Sequence, residues 1–475
     1  MADSISRQFA RWAANLSYEE RPPAVVDKVK ALILVHLVSG VFGGASARGR
    51  EAVDLILAEE GKPDGATVLG HGGKATRIGA TYANAEMMKA EEHLEDSYRM
   101  ITHPGGSLVP AAIVNAELGH RSMKDVIVAL AVGYELSCRL ANDFVPSTAA
   151  RGFRPAPIFA TMGTALTTAK LMGLDEDGLV AAIALATNGA CGLFEAGLEG
   201  GGETSVQDPN AARAGVFAAM IASQGRIKGS ELAIEGPSGF YHAFTGSNTG
   251  KLTYAFTGPL QVDLGSITEG LGSRYELLTI MFRMYNTGGY NHQVINLMAE
   301  LKQQHHIDAA EIEEVAVTMN WLETLYPSPA FRDEHAPLVP AVRGTHYFAA
   351  HAAVNGGFPV VGEKSMAPDG AAPEKDERVL EFMRTRVRII PEKGRPMFSP
   401  AITVTMKDGK THSGEFPYAR MEWNFDQLVP WLQRCVPEFP LGQAGMDRLV
   451  AMMRDADQLP SVAPLFEATQ ATAAH

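Results

Sequence analysis

Between His93 and His103 the chain gathers two imidazoles, the carboxyls of Glu95 and Asp96, and the hydroxyls of Ser97 and Thr102. It then runs through Pro104-Gly105-Gly106 into an apolar stretch, Leu108–Glu117. Imidazole and carboxyl groups can take up and return protons near neutral pH when they are held rigidly. A cluster of them where one helix ends and the next begins is one way to build an acid/base site. The competing reading is a polar interhelical turn with a capping Ser or Asp.

The elements around the cluster read as helices. Apolar residues recur at three- and four-residue steps over Pro23–Ser39, with Pro near its start, and the style continues in 78–92, 110–117, 122–140 and 158–172. Several of these segments are rich in Ala and Gly, which lets helices pack closely. After about residue 270 the pattern changes. Ile312–Met319 and Val387–Ile390 read as strands, and 402–415 reads as a hairpin turning at Asp408-Gly409. Helical patterning returns over 425–436 and 444–453. The expected fold is mainly α: a large all-α helical domain (1–270), an inserted smaller α+β segment (271–415), and a C-terminal return to the helical domain (416–460). A weakly structured tail (461–475) follows.

Bulk properties narrow the function classes. A formal net charge of −13 and a pI near 5.6 argue against nucleic acid and anionic membrane surfaces. Cys138, Cys191 and Cys435 lie far apart and suggest neither a disulfide framework nor a metal site. No Gly-rich phosphate loop, GxSxG elbow or HExxH motif is present. The N-terminus lacks a leader pattern and no apolar run is long enough to span a bilayer, so a cytoplasmic location is expected.

The segment from His93 to Glu117 resembles the signature of the MmgE/PrpD family. That family includes 2-methylcitrate dehydratases, cis-aconitate decarboxylases and iminodisuccinate epimerases. Glu95-Asp96-Ser97 and His103-Pro104-Gly105 carry the match, and the first acid of the family run falls at His93 or Glu92. Further matching blocks are 152–155, 210–215 and 235–240, in the family order. The resemblance implies that the α+β segment is a lid domain, and it implies a homodimer, no cofactor, and a small di- or tricarboxylate as substrate.

The basic residues depart from the family pattern. Arg154 and Gln207 stand where family members usually have histidine, and Thr204 and Arg283 where they usually have lysine. His292 is kept. Arginine does not exchange protons near neutral pH but clamps a carboxylate through two parallel hydrogen bonds. Arg154 and Arg283 are therefore expected to anchor substrate. His103, oriented by Asp96, is expected to be the acid/base, with His93 and His292 as further catalytic candidates. Glu95, Ser97, Thr102, Thr204, Gln207 and Tyr326 are the expected polar contacts. The leading expectation is a 2-methylcitrate dehydratase-like lyase that removes a proton next to a carboxylate. The alternatives are an epimerase acting on an acidic substrate, a decarboxylase, and a non-catalytic acid-binding member. Loss of the lysines leans toward the epimerase.

Overall fold

A computed structural model describes residues 3–90, 94–99, 102–326, 333–363, 365–366 and 372–470. His93 lies outside them. The chain is mainly helical with small sheets. Its centre is the helix Pro23–Ala45, buried on nearly all sides from Val25 to Gly43. A helix apolar all round has no solvent face to offer and must be interior. Arg77–Ala90, Gly105–Leu118, Met123–Ala141, Pro155–Met172, Glu176–Gly189 and Gln207–Ala222 complete the bundle.

The small residues read from the sequence pack as expected. Where Met123–Ala141 crosses Pro155–Met172, a Cβ on Gly133 would lie 2.8 Å from the Gly163 carbonyl oxygen. One on Gly163 would lie 2.5 Å from that of Gly133. The two backbones touch because neither residue has a side chain.

The second half carries a four-stranded sheet in the order Val387–Glu392, Ile312–Asn320, Ala401–Met406, Thr411–Glu415. The first pair is parallel and the others antiparallel. The hairpin turns at the expected place, with Gly409 at φ 85° and the Asp408 carboxylate accepting from Lys410 N–H at 3.0 Å. Helix Gly289–His305 packs against Thr345–Asn355 and the edge of this sheet.

Three expectations need correction. The first 270 residues are not all-α: Gly61–Thr67 pairs with Lys74–Ala75. Beyond Ala222 that half is largely irregular, because frequent glycines interrupt helical propagation and leave only a short helix at Phe240–Thr245. The tail is not weakly structured as far as it is described. Ala463–Thr469 is a helix that buries Leu465 and Phe466.

A further pairing fixes the polar cluster itself. Glu95–Ser97 pairs antiparallel with Met281–Arg283, in the register Glu95↔Arg283, Asp96↔Phe282. It joins chain segments from either side of residue 270. Among the described residues no helix is long and apolar enough to cross a membrane.

Candidate active site

The Glu95–Ser97 strand sorts the two adjacent carboxylates. Side chains alternate along a strand, so Glu95 and Asp96 must face opposite ways. Glu95 points into a cavity of about 320 Å³, together with His103 from the loop that follows. Asp96 points to the start of helix Gly105–Leu118, where its carboxylate accepts from Gly105 N–H at 3.2 and 3.1 Å. Both acids are buried.

Asp96 holds His103 through its backbone rather than its carboxylate. The Asp96 carbonyl lies 2.9 Å from His103 Nδ1. A carbonyl only accepts, so Nδ1 carries the proton and Nε2 keeps its lone pair. Arg283 Nη1 lies 3.4 Å from that Nε2. Burial lowers the His103 pKa below its usual value; Glu95 opposes this, and the charges of Lys89 and Arg154 add to it. His103 is thus a neutral imidazole with its basic nitrogen at the cavity.

Three cations accompany it. Across the strand pair, Arg283 Nη1 meets Glu95 Oε1 at 2.5 Å, and its Nη2 donates to the Thr287 carbonyl at 2.6 Å. Arg154 forks onto Asp208 at 3.0 and 3.1 Å. Lys89, at the end of helix Arg77–Ala90, pairs with the other Glu95 oxygen and lies 3.5 Å from Asp208. Burial would raise the Glu95 pKa, but the charge that His103 carries once acid protonates it, and then Lys89 and Arg154, outweigh this and bring the carboxyl down to about 2. Helix Gly289–His305 begins at the same cavity, and no side chain caps its first N–H groups.

Lys89 was not among the expected site residues. Its signal in the sequence is a lone lysine closing the apolar Met87-Met88 run just ahead of the polar cluster. A buried lysine is costly unless paired. Sequence spacing alone could not show that Glu95 and Asp208 supply the pairs.

The structure brings Glu95, His103, Arg154, Thr204, Arg283 and Tyr326 to one cavity. It sets other candidates apart. His292 is buried away from the cavity, and its Nε2 accepts from Met284 N–H at 2.9 Å and Tyr285 N–H at 3.1 Å. Burial, reinforced by Arg283, lowers its pKa to about 3, so it anchors the backbone just after Arg283 as a neutral ring. Ser97 and Thr102 are buried outside the cavity lining. Gln207 also lies outside it and donates to the Leu193 carbonyl at 2.9 Å. The Asp96 carboxylate is likewise turned away, and Glu95 is the carboxylate of the pair that faces the cavity.

Four larger clefts, of about 720, 850, 600 and 600 Å³, do not include His103. Arg434 and Arg388 in them are each forked onto a glutamate, Glu363 and Glu314. Among the described residues no three His, Cys, Asp or Glu side chains are grouped as metal ligands would be.

Comparison with known proteins shows the family. The family model described as the MmgE/PrpD N-terminal domain matches residues 7–253. The cis-aconitate decarboxylase-like protein oryM of Aspergillus oryzae is 26% identical over 349 residues, 70% of each chain. A cis-aconitate decarboxylase of Aspergillus terreus is 25% identical over 307 residues, covering 63% of this chain and 61% of that one. The cis-aconitate decarboxylase of Homo sapiens is 26% identical over 259 residues, half of each.

Proposed function

The chain belongs to the MmgE/PrpD family, and from that membership and the cavity at His103 we propose that it is a lyase for a small carboxylic acid. The observation that carries this reading is the fixed tautomer of His103, whose unprotonated Nε2, 3.4 Å from Arg283 Nη1, lies at a cavity with Arg154 and Lys89.

A proton on carbon next to a carboxylate is weakly acidic. It becomes removable when cations hold the carboxylate and stabilise the enediolate charge that develops. In this reading Arg154 and Arg283 bind that carboxylate, and Nε2 beside Arg283 takes the proton. The departing group on the next carbon needs a proton of its own. Lys89 supplies an ammonium donor at the same cavity, which answers the absence of the two family lysines that had favoured an epimerase. Thr204 and Tyr326 give polar contacts at the wall. The sheet-bearing half contributes Arg283, Tyr326 and Phe348 to the cavity, so its movement as a lid would open and close the site.

The named relatives favour a second reading at the same site, loss of CO2 in place of hydroxide. There the cations hold the carboxylates and Lys89 or the protonated His103 returns a proton to carbon. Dehydration needs His103 as the base; decarboxylation needs it only where His103 and not Lys89 returns the proton.

The test is α-proton exchange in D2O, followed by NMR, with a panel of small carboxylic acids. His103→Gln keeps the ring's volume roughly and should abolish exchange while leaving thermal unfolding unchanged. Exchange at the wild-type rate in a folded His103→Gln variant would sink the assignment. An unsaturated product marks dehydration, released CO2 marks decarboxylation, and inversion without either marks an epimerase.

A further inference from the structure

The cavity at His103 holds a basic residue that the proton chemistry does not use. Among the described residues four lysine and arginine side chains line it: Lys89, Arg154, Arg283 and Arg343. The first three are committed to carboxylates of the interior, Lys89 and Arg283 to Glu95 and Arg154 to Asp208. Arg343 differs. Its side chain is exposed, so it stands where the cavity opens to solvent. Its ion pair is with Glu374 at 3.5 Å, and that carboxylate is exposed as well and lies outside the cavity lining. An exposed pair at this distance contributes little, so the guanidinium can leave it for a better partner.

The backbone holds Arg343 in an unfavourable shape. Its φ is 68°, in the left-handed region that a residue with a Cβ rarely adopts. The glycine beside it, Gly344, sits at φ −85° and does not use the freedom it has. A tight turn, closed by the Gly344 N–H on the Ala341 carbonyl at 2.9 Å, sets this geometry. The turn leads into helix Thr345–Asn355, where Thr345 Oγ1 donates to Asn291 Oδ1 at 2.9 Å. Asn291 belongs to helix Gly289–His305, whose first residues form a wall of the same cavity. The backbone of Arg343 is thus braced against that wall, while its guanidinium is lightly held. Strain of this kind persists where the surrounding structure fixes it, and it gathers at sites of function.

We propose that Arg343 is a specificity-determining residue that leaves Glu374 to take a second carboxylate of the substrate at the mouth of the cavity. The first carboxylate, next to the carbon that loses its proton, lies with Arg154 and Arg283. This rests on the proton-transfer reading above and adds the residue that tells a dicarboxylate from a monocarboxylate. A guanidinium suits the task because it meets a carboxylate through two parallel hydrogen bonds.

The experiment compares α-proton exchange of succinate and of succinamate, in which one carboxylate is replaced by a neutral amide of nearly the same shape. The intact protein should prefer succinate by about tenfold or more in kcat/KM. Arg343→Gln should shrink that preference to about threefold or less, chiefly by raising KM for succinate. Arg343→Lys keeps the charge and should restore the larger part of it. Glu374→Gln removes the competing carboxylate and should lower KM for succinate. The opposite signs separate this role from a structural one, because a merely structural ion pair is lost equally in Arg343→Gln and Glu374→Gln. If both variants raise KM, or change both acids alike, the proposal is overturned. It is also overturned if the unaltered protein does not prefer succinate, and in each of these cases the lyase reading stands. No exchange of either acid, of tricarballylate or of citrate removes the proton-transfer reading and this inference with it.

Discussion

His103 shows how little of a residue's chemistry lies in its type. Its donor nitrogen is spent on the Asp96 carbonyl, which leaves one basic nitrogen of known direction. The proposed proton abstraction needs that nitrogen unprotonated, so activity should fall as pH drops through the imidazole pKa. Burial lowers that pKa below the usual 6.5. The acid limb of kcat/KM should therefore sit below pH 6.5 with a slope of one proton; a limb centred above 7 would contradict a neutral His103. Lys89 is the complementary test. Lys89→Met leaves Glu95 with Arg283 and Asp208 with Arg154, so both carboxylates keep a partner. We expect a folded protein whose kcat is lower by about 10²–10⁴, the range for loss of a positioned acid. A full kcat with a raised KM would make Lys89 a binding residue and not the acid.

At the scale of elements, two short devices set the site. One is the strand pair Glu95–Ser97 with Met281–Arg283, whose alternation sends Glu95 to the cavity and Asp96 to the helix behind it. The other is close helix packing beneath. Gly105 opens the helix after His103, and a Cβ there would run into the His36 ring and the Tyr134 hydroxyl. Gly105→Ala should thus cost activity by displacing His103 even where the protein folds. The crossing at Gly133 and Gly163 bears on stability alone. Gly163→Ala sets a methyl against the Gly133 backbone, which cannot rotate away as a side chain could. We expect a loss of about 1–3 kcal/mol in denaturant unfolding, and an unchanged midpoint would show that the helices can part without cost.

For the whole molecule, the buried titratable groups give a signed pH dependence. Burial outweighs its neighbours and pushes the His36 pKa down to about 4, so it contributes stability above its unfolded value near 6.5, lost as pH falls toward 4. Glu95, held at about 2, contributes above 4.5 and loses this as pH falls further. Asp96 runs the other way. Burial and then Glu95 raise it to about 7, so its contribution is present below 3.8 and lost as pH rises through 7. Asp96→Asn removes that opposing part while keeping an acceptor for Gly105. Its Tm relative to the unaltered protein should therefore rise between pH 4 and pH 7, and a constant difference would contradict the assignment. The sequence by itself determined the helical bundle, the hairpin at Asp408-Gly409, the family and the segment from which the proposed site is built, because periodicity, turn chemistry and motif order are local. It also identified His103, Arg154 and Arg283 as residues to watch. Only the tertiary structure decided that Glu95 rather than Asp96 faces the cavity, that His292 braces backbone, and that Lys89 joins the site. Those outcomes depend on strand register and on pairs such as Glu95 with Arg283, residues distant in the chain that meet only when the two halves fold together.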